Sequence, residues 1–169
     1  AILGARPGVG KSALGMEVAL NAAGKGKRVL ICSLEMSAEE YAQRVMARKS
    51  GVSLRAIRSG TEVGDQQWES LGEALNSGAK LPVEFTFDVS TPERLRGMVE
   101  ASAPDLVVVD YLQLLDTRRR YDGNVDRLRI ISGALKGLAR DCGVAVLALA
   151  QVTRSGQRGA VMPVLSDLR

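Results

Sequence analysis

Residues 5–12 read Ala-Arg-Pro-Gly-Val-Gly-Lys-Ser, with the apolar pair Ile2-Leu3 before them and a helical pattern after them. A glycine-rich turn that ends in a lysine and a hydroxyl, set between a strand and a helix, is the sequence of a phosphate-cradling P-loop. It makes a nucleotide the first ligand to consider. Successive backbone N–H groups around Gly8, Val9 and Gly10 can turn toward phosphate oxygens, and the N-terminus of the next helix adds the positive end of its dipole. The cradle is expected over Arg6, Pro7, Gly8, Val9, Gly10, Lys11, Ser12 and Ala13. Lys11 would reach the β- and γ-phosphates of ATP, and the Ser12 hydroxyl would hold Mg²⁺. The pattern G-x-x-x-x-G-K-[ST] is met except at its first position, where the chain has Ala5. The bland alternative is an ordinary glycine-rich turn.

The rest of the chain decides what surrounds such a loop. Its 169 residues, 46% of them hydrophobic, suit one globular domain with a sizeable core. Only 4% are aromatic, so base-stacking platforms are scarce and any nucleic-acid contact must lean on Arg, Lys and backbone donors. A net charge of +4 fits a polyanionic partner and a plain soluble protein equally well. There is no histidine, which removes histidine triads, histidine metal sites and histidine acid–base chemistry from this chain and leaves proton transfer to carboxylates. Cys32 and Cys142 lie beside apolar runs without CxxC spacing and read as small buried hydrophobes in a reducing compartment. With no membrane-span run and no signal peptide, a cytoplasmic setting without membrane contact is expected.

Apolar runs alternate with helical periods. After the P-loop, residues 12–23 form a helical face ended by Gly24; residues 28–33 are a buried-type strand. Ser37 and Glu40 make a capping box that opens a helix over 37–50, stopped by Gly51. A short helix over 53–59 and a longer one over 65–77 follow, then a strand over 83–87. Thr91-Pro92 starts the next helix with an N-cap and a proline at its first position. Leu106-Val107-Val108-Val109-Asp110 lacks alternation and is rich in β-branched residues, as a fully buried parallel strand would be. Residues 124–141 are helical, residues 144–149 form the last clear strand, and residues 155–163 read as a mobile loop. Strands separated by helices predict an α/β fold: a mostly parallel sheet with helices on both faces, whose ligands bind beyond the carboxyl ends of the strands.

The remaining chemistry sits on that rim. Asp110 ends its strand in the form of a Walker B segment and would hold Mg²⁺ directly or through water. The next position, where many P-loop ATPases carry a glutamate base, holds Tyr111, so Glu35, after the second strand, is the candidate base; otherwise it is a solvated loop carboxylate. Gln151 could sense the γ-phosphate or the attacking water, or simply satisfy a strand end. The expected catalytic set is thus Lys11, Glu35 and Gln151, with Ser12 and Asp110 at the metal.

Ala5-Arg6-Pro7 before Gly8-Val9-Gly10-Lys11-Ser12, Ser33-Leu34-Glu35-Met36-Ser37, Asp110-Tyr111-Leu112-Gln113-Leu114, Ala150-Gln151 and Leu165-Ser166-Asp167-Leu168-Arg169 follow one another in the order and spacing of the DnaB-type bacterial replicative helicases. The resemblance spans nearly the whole chain, and Ala5 is what that family commonly has. It implies a RecA-like P-loop NTPase motor domain over residues 1–169. Such a motor hydrolyses nucleotide at the subunit interfaces of a homo-hexamer and moves on single-stranded DNA, with a primase and a helicase loader as further partners. By motif position it carries Lys11, Ser12, Glu35, Asp110 and Gln151 to nucleotide chemistry and Arg169 to the DNA backbone. Two loops, one carrying Arg118, Arg119 and Arg120 and the other Arg154 and Arg158, are expected near the ring's channel, with a solvated basic loop as the alternative for the first cluster. Ala150 stands where the family usually has Ser, and Pro7-Gly8-Val9 where it often has another triplet. The family's collar domain, linker helix and arginine finger lie outside these residues. Both ends read as cut, since residue 1 falls inside a strand and Arg169 carries no terminating signal. Two other functions share parts of this pattern, a RecA- or RadA-like recombination ATPase and a nucleotide-dependent helicase partner that does not hydrolyse. The segments around Glu35 and Asp110 argue against both.

Overall fold

The computed structural model describes residues 1–61 and 63–152. They divide into two compact units, one formed by Ala1–Glu35 with the chain from Val83 onward, the other by Met36–Pro82.

The first unit is built on five parallel strands: β1 (Ile2–Ala5), β2 (Val29–Ser33), β3 (Val83–Thr86), β4 (Leu106–Asp110) and β5 (Ala145–Gln151), in the order β1-β5-β4-β2-β3. Its helices are α1 (Lys11–Gly24), α5 (Pro92–Ser102) and α6 (Gly123–Asp141), and a 3₁₀ turn, Leu112–Leu114, follows β4. The central strands are apolar on both sides because both faces are covered. Leu30, Cys32, Val107, Val109 and Ala148 join Leu95, Val99, Ile131, Leu135 and Leu138 from α5 and α6 in one buried core. Residues 131, 135 and 138 recur at the spacing of one helix face, which is why α6 lies flat on the sheet. Alternation sends Val29, Ile31, Val108 and Leu149 to the other face, beneath α1. There Gly15 permits a close approach, for a Cβ at that position would stand 2.7 Å from Leu149 Cδ1. Truncating a fully buried core leucine such as Leu95 costs about 2–5 kcal/mol, the transfer energy plus the cavity.

The helix signals read from the sequence operate as expected. The Thr91 side chain accepts from Arg94 N–H at the head of α5, with Pro92 at its first position. Several boundaries differ by a residue or two: α1 spans Lys11–Gly24 with Gly24 inside it, β2 begins at Val29, β3 ends at Thr86, α4 ends at Gly78, α6 begins at Gly123, and β5 begins at Ala145 and runs on to Gln151. The last difference arises because β1 continues beside β5, pairing Ala5 with Gln151. The 3₁₀ turn has no signal in the sequence. Cys32 is fully buried and its thiol is pushed up to about 12, first by burial and then by Asp88, whereas Cys142 is half-buried rather than buried.

The second unit is helical: α2 (Ala38–Ser50), α3 (Leu54–Ser59) and α4 (Asp65–Gly78). The capping box closes with both bonds, Glu40 N–H to Ser37 Oγ at 3.3 Å and Ser37 N–H to Glu40 Oε2 at 3.1 Å. Gly51 ends α2 in the left-handed region that favours glycine. Among all the described residues, no helix is long and apolar enough to cross a membrane.

Candidate nucleotide site

The site forms where four strands of the first unit, β1, β2, β4 and β5, end. β1 runs into residues 6–10, and Gly8 and Gly10 take positive φ values of 77° and 99°, conformations that an L side chain resists. Gly10 is the N-cap of α1 and brings no side chain to the helix's first N–H groups. The head of a fourteen-residue helix therefore faces outward with its donors available, as an anion site requires. A Cβ at Gly8 or Gly10 would meet nothing within 4 Å, so the cradle is open. Pro7, Gly8, Val9, Gly10 and Ala13 are exposed around it; Arg6, Lys11 and Ser12 are half-buried.

Registration of the sheet brings the charged residues together. Ser33 of β2 pairs with Asp110 of β4, and Leu34 N–H donates to the Asp110 carbonyl at 2.8 Å, so Glu35 leaves its strand beside the end of β4. Lys11, the first residue of α1, points into this corner. Its Nζ donates to Asp110 Oδ1 at 3.1 Å and stands 3.8 Å from Glu35 Oε2. The three side chains differ in burial: Asp110 is 0% exposed, Lys11 8% and Glu35 50%. Below the ammonium lies Tyr111, its ring centroid 4.0 Å from Lys11 Nζ, a cation–π contact. Burial first, then the charges of Glu35 and Asp110, raise the pKa of the Tyr111 hydroxyl, so the phenol stays neutral beside two carboxylates.

Gln151 ends β5 opposite Ala5 of β1, and Val152 N–H donates to the Ala5 carbonyl at 3.0 Å. Gln151 therefore leaves the sheet beside the entry to the P-loop. Its backbone is gripped by Gln113, whose side chain donates to the Gln151 carbonyl at 2.7 Å and accepts from its N–H at 3.1 Å. Arg118, Arg119 and Arg120 are exposed on the loop between the 3₁₀ turn and α6. Arg154, Arg158, Arg169 and the loop over 155–163 lie outside the described residues. The contacts of Tyr111 and Gln113, and those of Arg127 on α6 with the Gln113 and Leu115 carbonyls, escaped the sequence reading. Tyr111 and Gln113 stood inside a motif already singled out, whereas nothing distinguishes Arg127 from the other arginines of an amphipathic helix.

The donor set suits a magnesium nucleotide. A hydroxyl at Ser12 and a carboxylate at Asp110 are hard oxygen donors, and such an ion commonly takes only one or two protein ligands, the rest coming from phosphates and water. No group of three or more acidic, cysteine or histidine side chains that could cage a metal by itself occurs among the described residues.

A parallel sheet in this order, with the glycine cradle between β1 and α1, belongs to the RecA-like class of α/β folds. The C-terminal domain of DnaB-like helicases matches residues 1–169, and the chain belongs to that family. It is 37% identical to the replicative DNA helicase DnaB of Pasteurella multocida, the match covering 99% of this chain and 38% of that protein. With the DnaB of Geobacillus stearothermophilus it shares 33% identity, again over 99% of this chain and 38% of the relative. A solved DnaB-like replicative helicase, described with its interactions with primase, superposes with a TM-score of 0.92 at 27% identity, over 99% of this chain and 42% of that one. A second solved structure, described as an ATPase domain, gives 0.91 at 28% identity, over 99% of this chain and 62% of that one. The chain thus spans about two-fifths of the curated relatives named here.

Proposed function

We propose that residues 1–169 are the ATP-hydrolysing motor domain of a replicative DNA helicase, which works as a homo-hexamer on single-stranded DNA. The observation that carries the reading is the meeting of Lys11, Asp110 and Glu35 at the mouth of an open glycine cradle. Family membership supports it, as does the helicase identity of the curated relatives.

In this reading the N–H groups at the head of α1 bind the phosphates, and the Lys11 ammonium exchanges its carboxylate partner for phosphate oxygens. Ser12 and Asp110 would hold Mg²⁺, which when bound would neutralise charge on the phosphates. Glu35, the most exposed of the three, faces water and accepts the proton of the attacking water at its carboxylate. Tyr111 steers Lys11 from below and, being neutral, adds no competing charge. Gln151 presents its amide from the end of β5 to the same region. Arg169 and the exposed run Arg118, Arg119, Arg120 contact the DNA backbone, and the protein works in the cytoplasm. Primase contact is supported by the description of one structural neighbour, and a loader partner rests on the family resemblance alone.

The test is Lys11→Ala in the intact protein, which should abolish measurable ATP turnover; turnover at the parental rate would sink the assignment. For DNA, each phosphate contact removed should lower the slope of log K against log salt by about 0.7 on single strands. An Arg169→Ala ring with unchanged affinity and slope would take that residue out of the interface.

A further inference from the structure

The ladder between β4 and β5 ends at Val109 and Ala148, after which β4 turns away through Asp110 and Tyr111 into the 3₁₀ turn. β5 continues for three more residues with β1 beside it, pairing Leu149, Ala150 and Gln151 with Leu3, Gly4 and Ala5. On the side that β4 has left, the peptide groups of Gln151 would lack a strand partner. The Gln113 amide supplies one, accepting from Gln151 N–H at 3.1 Å and donating to its carbonyl at 2.7 Å. An amide turned the other way would set oxygen against oxygen and N–H against N–H, so both bonds fix its orientation. The backbone that carries Gln113 is held in turn. Arg127 on α6 donates through Nη2 to the Gln113 carbonyl at 3.0 Å and through Nη1 to the Leu115 carbonyl at 2.7 Å. Its Nε donates to Asn124 Oδ1 at 3.2 Å, which fixes the plane of the guanidinium fork.

A continuous path of hydrogen bonds therefore joins α6 to the segment after Asp110 and Tyr111, and that segment to Gln151. We propose that Gln113 is a positioning residue for hydrolysis: its side chain serves as the missing rung of β5 and fixes Gln151 relative to the segment of Asp110, with Arg127 locking the arrangement. The proposal rests on the reading of this site as an ATPase in which Gln151 acts on the nucleotide. A shift of either partner by about 1 Å would misalign the amide from the reacting atoms without touching the phosphate cradle, which is enough to cost up to about 10²-fold in rate.

The experiment compares Gln113→Met, Gln151→Ala and the double variant in the intact protein, with oligothymidylate as the DNA. It measures Mg²⁺-ATP affinity, single-turnover hydrolysis and the melting midpoint. Gln113→Met should keep nucleotide affinity within about threefold while slowing hydrolysis by about tenfold to a hundredfold. The double variant should be no slower than Gln151→Ala alone, because both changes remove the same contribution. Gln113→Glu keeps the acceptor for Gln151 N–H but sets a carboxylate oxygen against its carbonyl, so it should be at least as slow as Gln113→Met. Parental hydrolysis by Gln113→Met beside an impaired Gln151→Ala would overturn the proposal, and so would losses that multiply in the double variant. Parental hydrolysis by Gln151→Ala would instead overturn the role of Gln151 on which the proposal stands. If Gln113→Met does not fold, Arg127→Lys carries the test, since it keeps the charge and loses the fork. It too should slow hydrolysis at unchanged nucleotide affinity, and a parental rate there would overturn the proposal.

Discussion

At the carboxyl ends of the strands Lys11 meets Asp110 at 3.1 Å, with side chains 8% and 0% exposed; at the amino ends Arg96 of α5 meets Asp141 of α6 at 2.6 Å, with side chains 40% and 39% exposed. The shorter pair is the wetter one. Around it gather Glu100 at 3.7 Å and Arg140 at 3.0 Å, and nearby Asp105 accepts from Arg28 N–H at 2.8 Å. These charges sit in water, which screens them, so their geometry says little about stability. The pair at the other rim has been taken out of water. Desolvating an ammonium and a carboxylate costs several kcal/mol each, and well-packed apolar residues would often serve stability as well or better. Stability alone would not place ions in that corner. Their coincidence with an open glycine cradle gives the burial a function: a cation and a carboxylate kept dry act strongly on whatever charge arrives there.

The comparison is tested most severely at Lys11. Lys11→Ala removes the cation and leaves the Asp110 carboxylate buried beside Glu35, so besides ending turnover it should lower folding stability by up to about 3 kcal/mol. Denaturant midpoints of parent and variant without nucleotide would measure the second effect. An unchanged midpoint would mean that other contacts of Asp110 carry its charge, and the contrast between the rims would rest on chemistry alone.

Glu35→Gln should have the next largest effect, and on rate only. At half exposure Glu35 contributes little to the fold. The amide keeps its shape and removes its basicity, so Mg²⁺-ATP affinity should stay within a few-fold of the parent. Turnover should fall by roughly 10² to 10⁴, the usual share of a general base. Affinity and single-turnover hydrolysis measured on one preparation separate the two roles. Parental hydrolysis would move the base to another residue, and lost nucleotide binding would make Glu35 an organiser of the site.

The two rims are unequally legible in the sequence. Lys11, Glu35 and Asp110 can be placed together from the order of strands and helices alone, because each ends a strand or lies in or just beyond the turn that leaves one, and a parallel sheet collects all such positions on one side. The caps at Ser37 and Thr91 are equally plain, being local bonds between residues three apart. What cannot be read is whatever depends on two distant segments meeting at one distance. Tyr111 is visible as a departure from a pattern, but its place under the Lys11 ammonium depends on how α1 settles on the sheet. Gln113 meets a backbone 38 residues away, and only because β5 outruns β4 there. The charged cluster at the amino ends gives no signal, since exposed Arg and Asp residues look alike wherever they fall.

The smallest effect should come from that amino-terminal rim, where Arg96→Ala removes the shorter of the two ion pairs. The side-chain bond from Arg96, followed by that from Arg140, lowers the Asp141 pKa below the usual carboxylate value. A lowered pKa means that the folded chain releases this proton more readily than the unfolded one. The stability it contributes is therefore present above the ordinary carboxylate range and fades as the pH falls through the lowered value. The melting curves of parent and Arg96→Ala should differ slightly at neutral pH and low salt, and converge both in acid and at high ionic strength, where screening removes what little the pair adds. ATP turnover should not change, because the substitution lies across the sheet from Lys11. A loss as large as that of Lys11→Ala, or one that survives high salt, would show that distance and not burial ranks these pairs.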